Sequence, residues 1–139
     1  MSMMNPLSFE QTKPFTQMCK DIISLDDKIA FVSILNKNGR LIESECCSDG
    51  MIKSLSSSEL QMLFIQRTLQ TSMMKDLDNK LGKFNIAIIH RESFTECVFS
   101  FNEGVMLVIL KSRTKTNETI KKISKFLEKI ETYEDALTC

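Results

Sequence analysis

The chain has 139 residues, 42% of them hydrophobic and 26% charged, which suits one globular domain able to bury its own core without disulfide or metal staples. Its 18 basic and 18 acidic side chains cancel, so no overall field draws it to nucleic acid or to an anionic membrane, and neither partner is expected. No apolar run reaches the roughly 20 residues of a membrane helix, and the Met-Ser-Met-Met start lacks the basic and apolar regions of a secretory leader, so we expect a cytoplasmic protein without membrane insertion.

Residues 1–8 are rich in methionine and without periodicity; they read as the mobile part of a flexible lead-in over 1–11. Phe15, Met18, Cys19, Ile22 and Ile23 then fall on one helical face. The spacing predicts a helix opening near Thr12, with Pro14 in its first turn, where a missing N–H breaks no helical bond, and ending at Ser24 or Leu25 before Asp26-Asp27. Lys28 to Leu35 is β-branched and aromatic, Asn36 to Gly39 supplies a turn, and Arg40 to Cys47 alternates. That is a β-hairpin, and Asn38-Gly39 suits a type I′ turn because both residues tolerate positive φ. The first strand reads as buried on both faces, the second, with Glu43 and Glu45, as half exposed.

A long helix follows Ser48-Asp49-Gly50. Two overlapping capping boxes precede it, Ser58 with Gln61 and Ser56 with Glu59, and it is expected to run to about Leu81 with Gly82 at its stop. At about 100° per residue, Gln61, Thr68, Ser72, Lys75 and Asn79 share one narrow polar stripe. The apolar residues, from Leu60, Met62, Leu63, Phe64 and Ile65 through Leu69, Met73, Met74, Leu77 and Leu81, spread over an arc wider than one sheet face covers. A second surface should cover the remainder. Lys83–Arg91, Phe94–Phe101 and Val105–Lys111 are three further strands, and links as short as Glu92-Ser93 make them an antiparallel meander. A last helix starts at Thr116-Asn117-Glu118 with Ile120, Ile123, Leu127 and Ile130 inward, fraying from Tyr133 into a tail over 134–139.

Residues suited to chemistry do not converge. The five cysteines, Cys19, Cys46, Cys47, Cys97 and Cys139, are odd in number and lack a Cys-x-x-Cys, as in plain thiols of a reducing compartment. His90, the single histidine, closes a strand beside Arg91 and Glu92 with no cysteine paired to it in sequence. There is no glycine-rich phosphate loop, and the acidic pairs Asp26-Asp27 and Glu134-Asp135 sit at helix ends where solvation accounts for them. We therefore expect no catalytic residue, no cofactor, no metal and no enzyme activity. The basic stretch Lys111 to Lys125 is followed at once by Glu128, Glu131 and Glu134 and has no interleaved aromatic, so it reads as a solvated helix face. Met62, Met73 and Met74 suit an adaptable contact surface.

The order helix, strand, strand, helix, strand, strand, strand, helix, with the hairpin IAFVSILNKNGRLIES and the closing run FNEGVMLVILKSRTKTNETIKKISKFLEKI, resembles the Roadblock/dynein light chain family over residues 12–133. That family is an α/β/α sandwich related to profilin and longin folds. The resemblance implies one α/β (α+β) domain over 12–133, with a five-stranded antiparallel sheet of order 2-1-5-4-3. Its middle helix would cover one face and the first and last helices the other. It also implies a homodimer, or a heterodimer with a related Roadblock-like chain, in which the KFNIAIIHR strand pairs with its mate and the middle helices lie side by side. The interface residues would be Phe64, Arg67, Leu69, Met73 and Met74 on the helix and Phe84, Ile86 and Ile88 on the outer strand. A bare apolar edge strand invites aggregation, which gives such pairing a physical motive. By the same resemblance the chain would be a non-catalytic scaffold or regulator of a small Ras-like GTPase or of a larger complex such as a motor assembly. The Asn-Lys-Asn-Gly turn departs from the acidic turn often seen there. The alternative is a PAS- or profilin-like small-molecule sensing domain, a monomer or weak dimer with a cavity.

Overall fold

Two strands in which every residue is buried, Ile29–Leu35 (β1) and Gly104–Leu110 (β5), form the centre of the protein. The computed structural model describes residues 9–47, 52–111 and 115–138. β1 and β5 pair antiparallel; Leu41–Cys46 (β2) lies outside β1, Thr95–Phe101 (β4) outside β5, and Ile86–His90 (β3) beyond β4. The resulting order, β2-β1-β5-β4-β3, is the one the resemblance implies. Burial accounts for it: the continuously apolar strands sit where both faces are covered, and the strands with exposed positions take the two edges.

Phe9–Ile23 (α1) and Asn117–Thr138 (α4) cover one face of the sheet. Met18, Cys19 and Ile22 from α1 and Ile123 and Leu127 from α4 close over Val32, Phe99, Met106, Val108 and Leu110. The Phe15 ring meets Phe101 edge-on, centroids 6.1 Å apart. Asp26 ties this face together at the corner before β1: its carboxylate accepts from the Lys28 N–H at 2.9 Å, from Thr119 Oγ1 at 2.9 Å and from Lys122 Nζ at 3.3 Å. The Lys28 bond above all, with burial opposing and Thr119 and Lys122 assisting, holds that carboxyl below its ordinary pKa. The other face is covered by Ser57–Lys75 (α2).

Several boundaries differ from the sequence reading. α1 starts at Phe9, inside the expected lead-in, so Pro14 lies within the helix rather than in its first turn; residues 1–8 lie outside the described residues. The hairpin is not type I′, since only Gly39 of the Asn-Gly pair has positive φ (+81°). Instead Asn36 folds the loop around itself. Its Oδ1 accepts from the N–H groups of Asn38 and Arg40, and its carbonyl accepts from the Gly39 N–H, a type I turn followed by a left-handed glycine. α2 ends at Lys75, where its last turn tightens to bonds from the Asp76 and Leu77 N–H groups to the Met73 and Met74 carbonyls; a short separate helix, Asp78–Leu81 (α3), follows. Phe84 precedes β3 instead of belonging to it, its N–H held by Asp78 Oδ1 at 2.9 Å. The backbone of 134–138 continues α4 where a tail was expected, and Cys139 lies outside the described residues.

Candidate functional site

α2 opens on a full capping box: Ser56 Oγ accepts from the Glu59 N–H at 3.1 Å and Glu59 Oε1 accepts from the Ser56 N–H at 2.8 Å. The earlier of the two candidate boxes is therefore the one in use. Beyond this ordinary start the helix is turned against expectation. Its buried residues are Phe64, Thr68 and Thr71, while Met62 (58% exposed), Leu69 (59%) and Met73 (69%), together with Ile65 and, just past the helix end, Leu77, face water. Thr68, placed on the solvated stripe by its wheel position, thus lies against the sheet. Threonine can be buried there because each hydroxyl bonds within its own helix, Thr68 Oγ1 to the Phe64 carbonyl at 2.8 Å and Thr71 Oγ1 to the Arg67 carbonyl at 2.9 Å. Gly39 helps to seat the helix. A Cβ on it would stand 3.1 Å from Ile65 Cα, so the hairpin loop approaches α2 closely only with glycine at that place.

Two anchors hold α2 to the sheet. Phe64 stacks on Phe31 of β1, rings nearly parallel and 6.4 Å apart. The second is ionic. Glu96 of β4 is buried, and Arg67 grips it with both ends of its fork, Nε to Oε1 at 2.6 Å and Nη2 to Oε2 at 3.2 Å, while Arg91, just past β3, donates from Nε to Oε2. Burial pushes the Glu96 carboxyl up, but the hydrogen bonds and charges of Arg67 and Arg91 outweigh it and hold the group below the usual glutamate range.

The residues expected at an interface divide accordingly. Leu69, Met73, Met74 and Ile88 are exposed. Ile86 packs partly under the α1/α4 face, and Phe84 is half-buried in the link before β3. Phe64 is a correction: its ring fills the core beneath α2 and offers nothing outward. Arg67 is engaged with Glu96 within the chain. Met62, Ile65 and Leu77, outside the expected interface set, are exposed as well, and Glu96, which no sequence expectation singles out, is buried, a lone charge among inward positions of an apolar strand. Gln70 Oε1, on the same helix, is buried without a hydrogen-bond partner among the described residues. β3 pairs with β4 alone, leaving its outer edge open among the described residues. Beside the N-terminal half of α2, a groove of about 550 Å³ runs down to Glu96.

The reactive side chains stay apart. His90 Nδ1 lies 3.1 Å from Thr95 Oγ1. Cys19 and Cys97 are buried with thiols pushed up to about 12, in both cases mainly by burial, with Glu43 and Glu45 adding to it at Cys19 and Glu96 at Cys97. Such thiols stay protonated at neutral pH and are poor nucleophiles. Among the described residues no cluster of His, Cys, Asp or Glu is arranged to hold a metal ion, and no helix is long and apolar enough to cross a membrane.

No protein-family model matches the chain, and none of the curated proteins matches it in sequence. Solved structures do match in three dimensions. A Roadblock/LC7 domain from Streptomyces avermitilis superposes with a TM-score of 0.62 at 10% identity, covering 85% of this chain and 95% of that one. MglB of Myxococcus xanthus gives 0.64 at 19% identity over 93% and 96% of the two chains. An MglB in a tetrameric arrangement gives 0.66 at 13% identity over 86% and 85%. At these identities the likeness is one of fold, and the chain has a Roadblock-like fold.

Proposed function

We propose that the chain is a non-catalytic dimerising module that uses α2 and β3 to pair with a second copy of itself or a related chain. In that form it scaffolds or regulates a small Ras-like GTPase, or a larger complex, in the cytoplasm. The observation that carries this reading is the outward apolar stripe of α2. Met62, Leu69 and Met73 follow one another at helical spacing on the exposed surface, Leu77 lies exposed just past the helix end, and a monomer gains nothing from exposing four such side chains together. A two-fold axis brings a patch against itself, so the stripe of one copy meets the stripe of the other. The same axis supplies hydrogen bonds to the open edge of β3 and covers Ile88. One of the similar structures is itself an assembly, the tetrameric MglB. The regulatory part of the proposal rests on the Roadblock-like fold and on the absence of converging catalytic groups among the described residues.

Light scattering at several concentrations tests the dimer. The native chain should show twice its monomer mass, and Leu69→Glu with Met73→Glu, both at exposed positions, should give a folded monomer. A native monomer over the whole range would end the self-association claim. Retention of purified Ras-like GTPases in one nucleotide state over the other tests the second half, and indifference to nucleotide across such a panel would leave only a scaffold.

A further inference from the structure

We propose that the groove beside the N-terminal half of α2 is a socket for the α3–β3 link of a second copy of this chain, with Leu81 of that copy as its plug. The inference rests on the α2/β3 dimer proposed above and says which parts of the two copies meet at its ends. Leu55, Met62, Leu63, Phe94 and Ile109 give the groove apolar walls, and Met62 belongs also to the outward stripe, so groove and stripe are continuous. Leu81 is the matching projection. It is 78% exposed, the most of any large apolar side chain among the described residues, and α3 buries none of its own residues within the chain. Yet it sits on a closed turn. The Leu81 N–H donates to the Leu77 carbonyl at 2.9 Å, the Gly82 N–H to the Asp78 carbonyl at 3.0 Å, and the Phe84 N–H to Asp78 Oδ1. A side chain presented from so fixed a backbone loses little freedom on docking.

Symmetry brings plug and socket together twice over. With β3 paired to its mate and the sheet continued, the two-fold axis stands normal to the sheet, and the two α2 helices run antiparallel on the same face. The stripe from Met62 to Leu77 has its midpoint at Leu69 and Gln70. An axis passing there sets Met62 against Leu77 of the second copy, and Ser58, in the groove lining, against Leu81 of the second copy. The strand gives its own register: β3, Ile86–His90, is centred on Ile88, which sets Arg91, also in the lining, against Asn85 of the second copy. Helix and strand thus deliver the same link to the same groove. Charge agrees with them. The lining carries two carboxylates, Glu96, already matched by Arg67 and Arg91, and Glu59, which the helix register sets opposite Lys80 of the second copy. Lys80 and Lys83 flank Leu81 in the sequence, so the plug is an apolar tip between cations and the socket an apolar cleft with an acid at its wall.

Disulfide trapping tests it, in a chain whose Cys46, Cys47 and Cys139 are changed to serine. Ser58→Cys and Leu81→Cys together should give a covalent dimer under mild oxidation, and neither alone should. Within one chain the two positions lie at opposite ends of a helical segment, roughly 30 Å apart, too far for a disulfide, so a link between them joins two copies. Leu69→Cys alone, beside the axis, reports the α2 dimer without the socket. Linking through Leu69→Cys but not through the Ser58→Cys, Leu81→Cys pair overturns the socket and leaves the dimer standing. Failure of both overturns the two together. Leu81→Ala, at an exposed position, should leave unfolding of the monomer unchanged and weaken the dimer about a hundredfold by sedimentation equilibrium, two plugs at roughly tenfold each. Circular dichroism establishes that each variant is folded. A dimer as tight with Leu81→Ala as without it also overturns the proposal.

Discussion

The two faces of the sheet are covered by different physics. α1 and α4 turn apolar residues inward at helical spacing, and burial of area holds them in place. α2, the helix with the longest roll of apolar residues in the sequence, turns few of them inward and is held by one buried aromatic ring, the partly buried Leu60 and Leu63, two self-satisfied threonines and one ionic clasp. Richness in apolar side chains therefore does not say which side of a helix is the inside. A helix that must serve two surfaces can give the sheet its small and polar face and keep the large apolar one for something else.

Five measurements would break or sharpen that contrast. The largest effect should come from the first face: Leu110→Ala leaves a cavity in a fully closed core and should cost about 2 to 5 kcal/mol in urea unfolding at fixed protein concentration. A loss no greater than that of an exposed leucine would remove the distinction. Next, Glu96→Ala strands the nearly covered Arg67 without its counter-charge and should cost about 2 to 3 kcal/mol, less than a wholly buried pair because Arg91 is half exposed. The same residue gives a pH signature. The fold holds its carboxyl below the unfolded value of about 4.3, so its contribution is complete above that pH and is lost as the pH falls through the lower folded value. Melting temperatures of the native chain and of Glu96→Gln should differ at neutral pH and converge in acid. Ser56→Ala, which removes the cap of α2, should cost about 1 kcal/mol, seen as a loss of helical signal at moderate denaturant. Smallest of all, Leu69→Ser should change monomer stability by no more than about 0.5 kcal/mol, yet remove any dependence of the melting temperature on protein concentration.

The sequence carried the architecture well, since strand burial and helix spacing are local patterns. The unbroken apolar runs at Ile29–Leu35 and Gly104–Leu110 mark the inner strands, and the spacing of Ile120, Ile123 and Leu127 marks the inward side of α4. Where tertiary contacts decide, it was less legible. The helical wheel treats Thr68 as polar and sends it to water, but its hydroxyl is satisfied by the Phe64 carbonyl and its methyl then packs like any other. Phe64 looked available because nothing local shows that Phe31 waits opposite. Arg67 is 29 residues from Glu96 along the chain, and no spacing rule links them. The break after Lys75 has no glycine or proline to announce it.

The self-contained hydroxyl bonds of α2 also have a kinetic consequence. Lifting the helix from the sheet breaks neither Thr68 nor Thr71 from its carbonyl; it unstacks Phe64, frees Leu60 and Leu63 from the core and opens the Arg67–Glu96 clasp. A segment held so lightly opens as a unit well below the free energy of global unfolding. Its backbone amides will take up deuterium on their own clock while those of β1 and β5 wait for the whole chain to come apart, and whatever settles on the Met62 to Leu77 stripe will slow that clock without changing a single bond inside the fold.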